Sequence, residues 1–123
     1  MPAYDNAIRM SYMFDTKTLS TLAQVGQMAG PDGLRGRIVA VAAVLTTATT
    51  VAASIVSIGN NSDVDKYATL AVPVAAIDTI HNAFVSLTTD DALIAADTIV
   101  TLETDGGCTA GAASVNVVID WFL

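Results

Sequence analysis

Histidine, cysteine and paired carboxylates are where this chain could carry chemistry, and all are scarce. His81 is its one histidine and Cys108 its one cysteine. A zinc site wants several imidazole or thiolate ligands at short spacing, and His81 has no Cys, Glu or second His beside it. As a general base His81 would need a nucleophile delivered by folding, and Ser86 and Cys108 are the candidate partners. Cys108 lies in Asp105-Gly106-Gly107-Cys108-Thr109-Ala110-Gly111, with no nearby cation or helix start to activate a thiol. It reads as small filler, and a single cysteine cannot form an intramolecular disulfide. Asp63-Val64-Asp65, and Asp90-Asp91 with Asp97, offer the hard oxygens calcium prefers. No D-x-[DN]-x-[DN]-G pattern frames them, so they read as loop acids that end strands. Gly106-Gly107 with Gly111 is no phosphate loop, because no Gly-Lys-Ser/Thr follows and no βαβ unit surrounds it. The sequence therefore predicts no catalytic site, no metal site and no cofactor.

Charge is sparse and uneven. Twelve acids against five bases give a net of −7. Arg9, Lys17, Arg35 and Arg37 oppose Asp5, Asp15 and Asp32 in residues 1–37, a net of +1, whereas Lys66 alone opposes nine acids in residues 38–123, a net of −8. An acidic body repels phosphates, and neither a basic stripe nor interleaved aromatics is present, so nucleic acid is not an expected partner. Any contact with an acidic partner falls to the first third of the chain. Apolar residues make up 53% of the chain and are mostly Ala and Val, with abundant Thr. This mixture favours strands, and so little charge leaves apolar surface to be covered by other subunits.

These residues must be positioned by strands. Along Ser114-Val115-Asn116-Val117-Val118-Ile119-Asp120-Trp121, Val115, Val117, Ile119 and Trp121 share one parity while Ser114, Asn116 and Asp120 share the other. That is the period of a strand with one face in a core. Val100 and Leu102 read inward before the glycine loop, so residues 96–121 predict a closing antiparallel hairpin. Gly36 to Leu45 is the strongest strand, apolar in both parities, which predicts that both its faces are covered. Thr46 to Thr50 reads as a reversal and Thr50 to Ile58 as the return strand, with Val56 and Ile58 opposite Ile55. Tyr67 to Ala76 reads as a strand placing Leu70, Val72 and Val74 together, and Pro73 puts it at an edge or bulge. Ile77 to Phe84 reads as a helical turn or crossover, Phe84 to Leu87 as a short strand, and Thr88 to Asp91 as a polar turn. Seven or eight short strands predict an all-β, antiparallel β-sandwich or jelly roll.

Residues 1–34 are set apart as an N-terminal arm and 35–123 as the sandwich domain. Met10, Tyr12 and Phe14 share one side of a short strand, Leu19, Leu22, Val25 and Met28 recur at helical spacing between Thr18 and Met28 although Gly26 argues against a long helix, and Gly30-Pro31-Asp32-Gly33 is a turn. All four methionines lie in this segment, as in a surface that docks on something; packing on its own sandwich is the alternative. Trp121 takes the inward parity, and Phe122 points the other way as a candidate interface anchor.

Ile38 to Ile58 has no charge over 21 residues and follows Arg35 and Arg37, as a membrane span would. Its Thr-rich middle fits a hairpin instead, so no membrane partner is expected. The opening Met1-Pro2-Ala3-Tyr4-Asp5 lacks the basic start and apolar run of a secretory signal, which predicts synthesis in a cytoplasm.

The stretches Ala96–Asp120 and Gly36–Gly59 resemble the closing and first hairpins of small virion structural proteins of tailed bacteriophages, among them capsid decoration (cement) proteins and head-fibre bases. The resemblance is one of texture and order over about two thirds of the chain. It implies a non-enzymatic protein on the capsid exterior, partnered by the major capsid protein and self-associated, with a trimer favoured over a dimer. Shell or subunit contacts are then expected from Arg9, Met10, Tyr12, Phe14, Arg35, Arg37 and Phe122, with subunits packing through the Ile38–Leu45 side or the terminal aromatics. The alternative is a carbohydrate-binding or adhesin-like module, whose platform would use Trp121 or Tyr67.

Overall fold

Apolar residues alternating with polar ones from Ile8 to Phe122 produce nine strands in the computed structural model, which describes residues 7–84 and 93–123. The readings on Ser86, on Asp90 and Asp91, and on a strand running to Leu87 lie outside those residues. The strands are β1 (Ile8–Thr18), β2 (Leu22–Met28), β3 (Arg35–Thr50), β4 (Ser54–Gly59), β5 (Ala68–Val72), β6 (Ile80–Phe84), β7 (Leu93–Ile94), β8 (Val100–Asp105) and β9 (Ala110–Phe122). Among the described residues there is no helix.

Two antiparallel sheets face each other. One has the order β1-β9-β3-β6 with the short β7 also on β3, and the other β2-β8-β4-β5. The pairings β1 with β9, β2 with β8, β3 with β6 and β4 with β5 nest inside one another. The chain is thus one folded-back ribbon rolled across both layers. The all-β sandwich expectation is met.

The expected arm is part of this ribbon. β1 edges the first sheet and β2 edges the second, so residues 8–28 pack on the sandwich. The two expected hairpins are corrected. β3 and β4 lie in different sheets, and so do β8 and β9, so each reversal carries the chain across the core. Strands that face each other across a core alternate in the same way as strands that lie side by side, which is why the pattern suggested hairpins. Ile77 to Phe84 contributes β6, and Val74 lies beyond the end of β5 with 54% of its surface exposed.

The core comes from the inward positions: Ile38, Val41, Ala43 and Leu45 of β3; Val56 and Ile58 of β4; Val100 and Leu102 of β8; Val115, Val117, Ile119 and Trp121 of β9. The register of β3 against β9 shifts between Ile38 and Ala40, so the inward parity changes from Ile38 to Val41. Its outward residues Ala40 and Ala42 are half-buried and Val44 is exposed. Trp121 is seated by absent side chains: a Cβ on Gly36 would lie 2.5 Å from its ring. Its indole N–H donates to Tyr12 Oη at 2.9 Å, and Tyr12 donates to the Ala29 carbonyl at 3.2 Å. The uncharged stretch Ile38–Ile58 supplies most of β3, a turn and most of β4, and no helix among the described residues is long and apolar enough to cross a membrane.

Candidate functional site

β1, β9 and β3 are consecutive neighbours, and this brings three arginines from distant parts of the chain to one corner. Arg9 pairs opposite Asp120, and Asp120 pairs opposite Arg37, so the three form a row across the outer face of the first sheet. Arg35 lies two residues before Arg37, on the same face, opposite Phe122. Parity accounts for their exposure: each takes the position opposite to the inward residues of its strand.

The geometry is that of a braced cationic surface. Arg9 Nε donates to Asp120 Oδ1 at 2.7 Å and its Nη2 to Oδ2 at 2.9 Å, a planar two-pronged pair. The hydrogen bond to Asp120, followed by the charge of that carboxylate, raises the Arg9 guanidinium further above its ordinary value, so it stays charged. Arg35 Cζ stands 5.3 Å and Arg37 Cζ 6.0 Å from the centroid of the Phe122 ring, within the range of cation–π attraction. Arg35 Nη2 also donates to the Leu123 carbonyl at 2.8 Å. Among the described residues Asp120 is the one acid in the row of Arg9 and Arg37, on a chain whose net charge is −7.

The expected contact residues divide into two groups. Arg9 and Arg35 are exposed and Arg37 lies half-buried beside them. Met10, Tyr12 and Phe14 point inward from β1 and pack against the core, Phe14 so closely that a Cβ on Gly26 would lie 2.5 Å from its ring. Phe122 does point away from Trp121, but at 8% exposure it serves as the floor beneath Arg35 and Arg37. What sequence reasoning missed was Asp120. Its outward parity was legible, but its pairing with Arg9 depends on a register across 111 residues of chain.

The residues with catalytic potential stay apart. His81 lies opposite Ala43, in the row of Val115, while Cys108 is buried against Gly111. Four residues along β9 separate those two levels, roughly 13 Å, so no base–thiol pair forms. Asp63 and Asp65 do meet: hydrogen bonding to Asp63, then its charge, holds the Asp65 carboxyl above its ordinary value. Among the described residues no group of three or more metal-ligating side chains forms, and they enclose no ligand-sized cavity. Trp121 and Tyr67, the aromatics named for a glycan platform, are 1% and 5% exposed.

No protein-family model matches the chain, and no curated protein matches it. A solved structure, the cyanophage Pam1 capsid asymmetric unit, is similar over 94% of this chain and 81% of that chain, at 16% identity and a TM-score of 0.43. A likeness that weak establishes neither the family nor the function of this chain.

Proposed function

We propose that this protein is a non-enzymatic structural component of a tailed-bacteriophage virion, bound to the exterior of the capsid shell and stiffening it. The observation that carries the reading is charge segregation: three arginines gathered in one braced corner of a chain of net −7. Such a corner suits an acidic patch on the major capsid protein, and the surrounding negative charge repels nucleic acid. Further support comes from the sequence resemblance and from the nested ribbon, which is the wrapping of a jelly roll, an architecture common in viral shells and lectins. Many copies, each weakly held, would resist internal pressure together.

The test is co-sedimentation of the purified protein with shells stripped of it, together with a search for it in purified particles by mass spectrometry. Removing residues 1–34 would delete β1 and β2, so point changes are needed. Arg9→Glu with Arg35→Glu is expected to abolish binding at physiological salt. Arg9→Ala alone is expected to leave the melting temperature nearly unchanged, because its pair with Asp120 is solvent-exposed. Full shell occupancy by the doubly reversed protein would refute the docking surface, and absence from particles would refute the reading.

A further inference from the structure

Each sheet has two outer strands with one edge unpaired among the described residues: β1 and β6 in the first sheet, β2 and β5 in the second. The free N–H and C=O groups of an edge accept a further strand unless the edge is short, bulged or interrupted by proline. Three of the four edges are blunted in these ways. β2 shifts register between Gln24 and Gly26, which leaves three regular positions on either side. β5 is five residues long and runs into Pro73, and β6 is five residues long. β1 differs from them. From Ile8 to Phe14 it keeps seven consecutive positions in unbroken register with β9, and that stretch contains neither Gly nor Pro.

The residues along this edge are complementary to one another. Arg9, Ser11, Met13 and Asp15 are exposed on the outer side of β1, and Met10, Tyr12 and Phe14 are half-buried on the inner side. Met13 is 63% exposed, and Asp15 has no ion-pair partner among the described residues. Two copies of β1 related by a two-fold axis through Tyr12 run antiparallel. Equal steps from Tyr12 then lie opposite each other: Ser11 meets Met13, Met10 meets Phe14 and Arg9 meets Asp15, each twice. Every such pair joins residues of one side, so the inner set stays inner and the outer set outer. Arg9 gives Nε and Nη2 to Asp120 and keeps Nη1 for a second carboxylate. The row across the outer face becomes Asp15 of the second copy, Arg9, Asp120 and Arg37, alternating in sign. The two Met13 side chains become diagonal neighbours across the axis. An axis through Met13 would instead set Arg9 against Lys17, and one through Ser11 would set it against Met13, so charge selects this register.

We infer that two copies of this chain pair edge to edge along β1, antiparallel about Tyr12, so that the first sheet continues from one copy into the other. The pair closes on itself, because each copy has one such edge and the pairing uses it. The axis is normal to the sheet, so both arginine corners stay on one face, with the two Arg9 residues roughly 20 Å apart along the strands. The inference does not depend on the shell-binding reading.

Sedimentation velocity and hydrogen exchange read by mass spectrometry, both on the full chain over a concentration series, test it. The mass is expected to rise to that of two chains and stop there. The fast-exchanging amides of residues 8–14 are expected to slow with concentration, while those of β2 and β5 do not change. Asp15→Lys turns two attractions into two repulsions and should weaken the pair about tenfold. Met13→Lys sets like charges diagonally across the axis and should also weaken it; it decides the matter if Asp15→Lys melts early. Both positions are exposed, so at low concentration neither variant should melt more than about 2 °C below the wild type. Thr69→Lys, exposed on β5, should leave the mass unchanged. A wild type that stays monomeric at about 200 µM, a dimer whose residues 8–14 exchange as fast as in the monomer, or two edge variants that dimerise like the wild type would overturn the inference. Slowing of residues 8–14 only when stripped shells are added would assign the edge to a shell strand and overturn it too. Shell binding by a strict monomer would sink this inference and leave the shell reading intact; pairing without shell binding would do the reverse.

Discussion

Replacing Asp105 should reveal how the turns before β4 and after β8 are held. Its Oδ1 accepts from the backbone N–H groups of Ile55 and Gly107 at 2.9 Å each, and Ser54 Oγ lies 2.9 Å away. The Ser54 proton is shared with the Leu19 carbonyl at 2.8 Å, so the two backbone bonds are counted in full and the hydroxyl is not. A hydrogen bond to a charged acceptor contributes roughly 1.5–3 kcal/mol, and the low end applies to a residue as exposed as Asp105. Asp105→Ala should then cost about 3 kcal/mol. Unfolding entropy per residue makes 1 kcal/mol worth ~4 °C at this chain length, so the melting temperature should fall by about 12 °C. Asp105→Asn keeps an acceptor and loses the charge, and should cost about half as much. Burial opposes ionisation of Asp105, but the bonds from Ile55, Gly107 and Ser54 outweigh it and hold the carboxyl below its ordinary value. A depressed folded value means the contribution is full above the unfolded value of ~3.9 and is lost as pH falls through the folded value. Differential scanning fluorimetry should find the gap between wild type and Asp105→Asn constant from neutral pH to about pH 5 and closing below about pH 4. A gap of the same width at pH 3 and pH 7, or an Ala variant melting within a degree or so of wild type, would refute the reasoning.

Gly36→Ala should destabilise by about 1–3 kcal/mol, because its Cβ would enter the Trp121 ring at 2.5 Å from Cζ3 and 2.6 Å from Cε3; urea unfolding followed by tryptophan emission measures it. Thr101→Val should stabilise by about 1 kcal/mol, because Thr101 Oγ1 is buried without a hydrogen-bond partner, and a raised urea midpoint would confirm it.

The fold was legible wherever one face of a strand sees a core. Val115 to Trp121 announced its inward set by alternation alone, and Pro73 correctly marked the edge at β5. Two features were not legible. β3 is apolar in both parities because its outward residues Ala40, Ala42 and Val44 are apolar too, and a one-residue shift near Val39 that moves the inward set from one parity to the other leaves no mark in composition. Sheet membership was hidden as well. Val100 and Val115 carry the same inward signal whether β8 and β9 lie side by side or face each other, and only the nested pairing of the whole chain decides between them.

The arginine corner was half legible for a related reason. That the bases sit in the first third of the chain was plain from composition, but their convergence is a property of topology: β1 and β3 flank β9, so Arg9 and Arg37 meet across Asp120. Met10, Tyr12 and Phe14 share one parity of β1 and pack against the core. If β1 belongs to the sandwich, one parity must fill the core, and the apolar set Met10, Tyr12 and Phe14 is that parity. Arg9, Ser11 and Met13 then face outward, and Ser11 does reach Asn116 Oδ1 there at 2.6 Å.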